Sequence, residues 1–181
     1  MLGISKMRFM LTPNQEKYLQ KIPESEKVLI KPFDSRATDV AADLLGEIKR
    51  IVPDFKVLFM GAAALGIAGQ NDLDLYILCT EKDFAKYLPK LEQHFGPKIQ
   101  GISIIKWEFT RDGFPVELYL TDPETPSMKE QIQLFELLKS SPNLRKEYEQ
   151  IKLDSDGISF REYMRRKYDF FNRILGLNNG G

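Results

Sequence analysis

The sequence predicts a mixed α/β chain (in detail α+β), a small mixed sheet backed by helices and followed by a C-terminal helical unit. Three observations predict it. Two short apolar runs, Lys56–Met60 and Asp72–Cys79, flank a stretch of small residues, the pattern of two strands joined by a compact connection. Ile102–Thr110 and Phe114–Thr121 alternate apolar and polar residues around Asp112-Gly113, a hairpin signal. Everything after Pro126 carries helical spacing.

The elements follow in order. A short helix is expected from Pro13 to Ile22, then a brief extended piece at Val28–Ile30. Ser35–Ile51 is amphipathic, with Val40, Leu44, Leu45 and Ile48 on one side. After the second strand, Glu81–Phe95 turns Phe84, Leu88 and Leu91 inward, with Pro89 a candidate kink. Gly96-Pro97 breaks that helix before the hairpin. Ser127-Met128-Lys129-Glu130 and Ser159-Phe160-Arg161-Glu162 both fit a capping box, and Ser141-Pro142 fits an N-cap followed by proline. Residues 1–27 read as an accessory segment, 28–175 as the main domain with its helical unit from about 127, and 176–181 as a frayed tail.

Composition excludes several classes. With 181 residues, 43% of them hydrophobic, the chain fills one good core. The 26 basic and 26 acidic residues balance, which argues against a non-specific nucleic-acid binder and for a small ligand. Cys79 is the one cysteine, so no intrachain disulfide forms, as suits a cytoplasmic setting. No apolar run approaches a membrane span, and Lys6 and Arg8 precede no secretory apolar segment. One histidine and one cysteine cannot build a zinc centre or a Ser-His-Asp set.

The chemistry concentrates between Met60 and Leu75. Strand alternation sends Asp72 and Asp74 to one side and Leu73, Leu75 and Ile77 to the core. Adjacent carboxylates repel unless a cation or a shared proton intervenes. Hard oxygen ligands of this kind suit Mg²⁺, which takes one or two carboxylates plus substrate phosphates. The bland alternative is a solvated pair that opens a strand after the Gln70-Asn71 turn.

Gly61 and Ala62, a short loop and then Asp72-Leu73-Asp74 resemble the signature of the polymerase-beta-type nucleotidyltransferase superfamily: Gly-Ser, a loop, then Asp-x-Asp on the next strand. That resemblance implies a third carboxylate on a later strand. Glu117, opposite Val116, Leu118 and Leu120, takes that position, with Glu108 on the preceding strand as its rival. Ala62 stands where the superfamily has serine, so the backbone N–H survives and the hydroxyl is lost.

The C-terminal third is similar to the GrpB-like family. Pro142-Asn143-Leu144-Arg145-Lys146-Glu147-Tyr148-Glu149-Gln150-Ile151-Lys152 follows its Pro-x-Leu-Arg-x-x-Tyr-x-x-x-Lys helix, and Tyr163 to Lys167 its later Tyr-x-x-x-Lys. Ile30-Lys31-Pro32-Phe33-Asp34 fits its N-terminal part. Many relatives carry Lys-Pro in the glycine loop, and this chain does not.

The resemblance implies a Mg²⁺-dependent (or Mn²⁺-dependent) nucleotidyltransferase that moves a nucleoside monophosphate from a triphosphate to an acceptor hydroxyl. Asp72, Asp74 and Glu117 would hold the metal, while Gly61, Ala62, Gly66, Lys152 and Lys167 would contact nucleotide or phosphate. Bland readings stand beside these roles. Gly61 and Gly66 serve equally as turn glycines. Lys152 and Lys167 lie within apolar helix faces, where lysine snorkels or pairs. Arg165, Arg166 and Arg173 fall off the apolar stripe, His94 reads as a surface or capping residue, and Trp107 as core. Two other functions stay open: a catalytically degenerate nucleotide- or phosphate-binding module, favoured by Ala62, and an antitoxin-like protein-interaction partner.

Overall fold

The computed structural model describes residues 11–99, 101 and 103–176. Ile102, at the expected start of the hairpin, and the expected tail beyond Gly176 lie outside them, as does the N-terminal part of the accessory segment. The chain divides into two compact units: Lys31–Arg145, and a second drawn from both ends of the chain, up to Ile30 and from Lys146.

In the first of these units, α2 (Arg36–Ile51), β1 (Lys56–Met60), α3 (Gly61–Leu65), β2 (Leu73–Leu78), α4 (Phe84–Phe95), β3 (Ile104–Arg111), β4 (Phe114–Thr121) and α5 (Pro126–Ser140) follow in order. The four strands are ordered β1-β2-β4-β3. β1 runs antiparallel to β2, β2 parallel to β4, and β3 antiparallel to β4. This is the small mixed sheet expected. The hairpin turn places both Asp112 and Gly113 at positive φ, +51° and +84°, the requirement that makes Asp-Gly its preferred pair.

Alternation divides the sheet into two faces. Leu73, Leu75, Ile77, Val116, Leu118, Leu120, Ile105 and Trp107 form the buried core with α2 and α4. The indole N–H of Trp107 donates to Gly96 O at 2.9 Å, so its one polar atom is satisfied inside. On the opposite face Met60 and Leu78 meet Met128 of α5, with Leu58, Tyr76, Ile132 and Phe135 packed around them.

Three local expectations change. The stretch after Met60 is not all loop, because its first five residues form α3. The cap of α5 is Thr125, whose hydroxyl accepts from Met128 N at 3.3 Å, with Pro126 at the first helical position. Proline there shifts the start two residues ahead of the expected Ser127 cap, since its fixed φ suits that position. The third narrows: of the surface and capping readings of His94 the surface one holds, its exposed ring pairing with the Glu47 carboxylate. The other caps are found: Ser141 Oγ accepts from Leu144 N at 3.4 Å and Ser159 Oγ from Glu162 N at 3.2 Å.

Glu47 also accepts two bonds from Arg111, at 2.8 and 3.3 Å. The Arg111 bonds, opposed by burial and aided by His94, hold its carboxyl down at about 2, from 4.5. A depressed acid stabilises fully above its unfolded value, and that contribution disappears as pH falls through the folded one. Wild type should therefore melt higher than Glu47→Gln at pH 6. The gap should narrow below pH about 4.5 and close near pH about 2. Melting curves across that range check it, and a constant gap would refute the linkage.

The second unit contains α1 (Pro13–Lys21), most of α6 (Pro142–Leu153) and α7 (Phe160–Leu175). α1 is opened by a capping box that the sequence reading did not single out: Gln15 N donates to Thr12 Oγ1, and Thr12 N to Gln15 Oε1. Leu19, Ile22, Val28, Tyr163 and Met164 form its core. Gln15 and the buried Asn172 exchange two side-chain hydrogen bonds, each 2.9 Å, which tie α1 to α7.

Candidate active site

The site is built where β1 gives way to α3 and β2 returns alongside. Gly61 has φ +81°. A Cβ there would lie 2.1 Å from Asp74 Oδ2 and 3.1 Å from its Cγ. Gly61 is thus required twice, by its left-handed backbone and by the carboxylate seated against it. Gly66 ends α3 at φ +67°. Its N–H donates to Ala63 O at 3.1 Å, and Ile67 N–H to Ala62 O at 3.2 Å, the closing bonds of a helix C-terminus. The Gly66 N–H is therefore engaged within the protein. Ala62 is buried.

Past the loop, Asn71 adopts φ +61°, a conformation asparagine tolerates, and turns the chain into β2. Leu73, Leu75 and Ile77 are fully buried while Asp72, Asp74 and Tyr76 are only partly so, as the alternation requires. Register then sets the row. Asp74 pairs with Met60 on β1 and Glu117 on β4, and Glu117 pairs with Glu108 on β3. Adjacent strands lie about 4.8 Å apart, so three carboxylates cross the sheet side by side. Glu117 is the immediate neighbour of Asp74, and Glu108 stands one strand further out.

Two groups to which the sequence assigned no role lie on the same face. Tyr76 and Tyr119 are register partners, their rings stacked at 4.7 Å. Burial holds the Tyr76 phenol far above its ordinary range, and the charges of Asp74, Glu117 and Asp72 add to that. Burial likewise raises Tyr119, whose hydroxyl donates to Glu117 Oε2 at 2.5 Å.

Lys106 is the second. Its ammonium lies 2.5 Å from Glu108 Oε1 and 2.8 Å from Glu117 Oε1, and 5.3 Å from the centre of the Tyr119 ring. Burial works against its charge, but the bonds to Glu108 and Glu117 outweigh that and raise it. Lys106 stands two residues before Glu108 on β3, opposite Tyr119 on β4.

Among the described residues, no three His, Cys, Asp or Glu side chains converge to hold a metal by themselves. Asp72 and Asp74 nonetheless fit a hard divalent cation whose remaining positions come from substrate oxygens, the usual situation for Mg²⁺. Glu117 Oε1 is taken by the Lys106 ammonium.

The two lysines of the helical motifs occupy different surroundings. Lys152 is buried, at 4% exposure. It donates to the Tyr163 hydroxyl at 2.7 Å and lies over the Tyr148 ring at 4.7 Å. Lys167 is half-buried, 5.5 Å from the centre of the Phe171 ring. Cys79 is buried, and burial followed by the charges of Asp83 and Asp122 pushes its thiol up to about 11. Burial thus disfavours a thiolate at neutral pH. Among the described residues, no helix is long and apolar enough to cross a membrane.

One solved structure agrees with this architecture. The crystal structure of the conserved protein GrpB from Enterococcus faecalis superposes with a TM-score of 0.62 at 10% identity, over 81% of this chain and 99% of that one. A cytoplasmic RNA terminal U-transferase superposes at a TM-score of 0.38 and 20% identity, over 77% of this chain and 45% of that one. No curated protein sequence matches. The GrpB protein family matches residues 27–176, most of the described chain, and the chain belongs to that family.

Proposed function

We propose that the protein is a Mg²⁺-dependent nucleotidyltransferase (Mn²⁺ substituting) that takes a nucleoside triphosphate and an acceptor hydroxyl as substrates. The observation that carries this reading is the seating of Asp74 on Gly61, with Glu117 in register beside it. Asp72, Asp74 and Glu117 would hold the ion. When bound, it supplies charge neutralisation for the triphosphate and alignment of the reacting groups.

The chain's own residues supply the rest. Carboxylates arranged on rigid strands position a polar acceptor with little reorganisation. Glu117 lies beside Asp74 and would take the acceptor proton as the oxygen attacks the α-phosphorus and pyrophosphate leaves. Tyr119, by donating to Glu117 Oε2, fixes that carboxylate's orientation. The assignment of Lys152 and Lys167 to phosphate rests on the family resemblance alone, as does that of the α3 backbone at Gly61, Ala62 and Gly66.

Calorimetry with a panel of nucleoside triphosphates, with and without Mg²⁺, tests the reading. Wild type should bind at least one only with metal, and the Asp72→Asn, Asp74→Asn double variant should not bind it. Equal binding by both proteins would refute the site.

A second reading, a nucleotide-binding module without turnover, is favoured by Ala62, which offers no hydroxyl where the superfamily has one. It expects the same metal-dependent binding with no pyrophosphate released during prolonged incubation with acceptor extracts.

A further inference from the structure

We propose that Lys106 is a built-in counter-cation that occupies Glu117 and must withdraw from it before that carboxylate can join a divalent metal. The inference rests on the proposed function and concerns how that same site is regulated. A dedicated metal ligand is expected to present an oxygen that carries no other cation. Glu117 presents the reverse: Oε1 takes the Lys106 ammonium at 2.8 Å and Oε2 the Tyr119 hydroxyl at 2.5 Å. An ammonium and a dication on one carboxylate oxygen repel each other at close range, so the two occupants exclude one another.

The surroundings give the ammonium somewhere to go. Lys106 is held at the same time by Glu108, at 2.5 Å, and Glu108 is 51% exposed, against 30% for Glu117 and 15% for Lys106 itself. A flexible four-carbon stem lets Nζ swing toward Glu108 and solvent without losing its carboxylate partner. The acidic pair on β3 and β4 is thus unequal. Glu108 retains the lysine, and Glu117 is released to the Asp74 side of the row. Asp72 and Asp74 would hold the ion together with substrate, and Lys106 would swing from Glu117 to Glu108. Such an arrangement keeps the site weak for free metal and ties completion of the carboxylate set to the arrival of nucleotide.

The test is a double-mutant cycle read by binding of Mn²⁺ alone, followed by electron paramagnetic resonance, on the full chain. Lys106→Met keeps the length and apolar stem while removing the charge. It should raise Mn²⁺ affinity about tenfold by freeing one further carboxylate, since affinity at such sites follows ligand charge count. In a Glu117→Gln background the same substitution should give no gain. Through-space repulsion alone would give an equal gain in both backgrounds, because an ion on Asp72 and Asp74 would still feel the lysine. That equality, or no gain in either background, would overturn the inference, while Mn²⁺ binding by wild type that is lost in Asp72→Asn, Asp74→Asn would leave the proposed site standing. No Mn²⁺ binding by any of the proteins, Lys106→Met included, would overturn both. Circular-dichroism melts of each variant confirm folding, and damage to the fold cannot imitate a gain in affinity.

Discussion

Gly61→Ala is expected to lower metal-dependent nucleotide affinity about tenfold or more, the range that follows from disturbing the support of a metal ligand. Two effects add at this residue. The first is backbone strain: φ of +81° is costly for any residue with a Cβ, about 1–3 kcal/mol. The second is displacement, since the new methyl would lie 2.1 Å from Asp74 Oδ2. The carboxylate is the mobile party and would rotate out of the row it shares with Glu117. Gly66→Ala separates the two effects. Gly66 also has positive φ, +67°, but a Cβ there would meet Phe33 only at 3.9 Å. Both variants should lose comparable stability, and Gly61→Ala alone should lose binding beyond what that loss explains. Calorimetry at a temperature where both remain folded is the measurement. Equal losses of binding would mean that the contact between Gly61 and Asp74 plays no part in holding the ligand.

The contact explains why so much of this region was legible in the sequence. Asp72, Asp74 and Glu117 could be placed on one face because a strand's period is two, and the apolar residues between them left no other assignment. Their adjacency was not legible. Asp74 meets Glu117 because β4 runs parallel to β2 while β3 takes the edge, and strand order follows from long-range packing rather than from local spacing. Lys106 was overlooked for the same reason. Its meaning depends on the residues opposite it on β4, Tyr119 and Glu117, and no pattern within β3 announces them. The helix α3 was hidden by composition: Gly61 to Leu65 is too short to show a 3.6-residue period, and small residues suit loop and helix alike. The partner of His94 was hidden because Glu47 lies on a helix 47 positions earlier. Local signals did better where proline fixed the geometry, as at Ser141-Pro142, and less well at α5, where Pro126 moved the cap from Ser127 to Thr125.

Lys152→Ala should have the largest effect on stability of any single lysine change, and the reason bears on what the Tyr-x-x-x-Lys pattern of α6 is for. The Lys152 ammonium is buried, hydrogen-bonded to Tyr163 at 2.7 Å, and lies over the rings of Tyr148 and Tyr163 at 4.7 and 5.3 Å. Truncation would remove those contacts, leave a void where the stem packed, and strip the buried Tyr163 hydroxyl of a donor. Void and lost bond together cost about 3–5 kcal/mol, which in a chain of this size lowers the melting temperature by about 6–20 °C. Lys167→Ala, on a half-buried position of α7, should cost about 1 kcal/mol or less. The phosphate role that the family resemblance suggests predicts a different pair of results. Lys152→Met would fill most of the volume and keep the fold, so calorimetry on that variant isolates the charge. Nucleotide affinity unchanged in Lys152→Met, beside a large melting-temperature loss in Lys152→Ala, would make the lysine a strut between two tyrosines. Affinity lost in a well-folded Lys152→Met would instead return it to the ligand, and with it the α6 motif to the chemistry of the site.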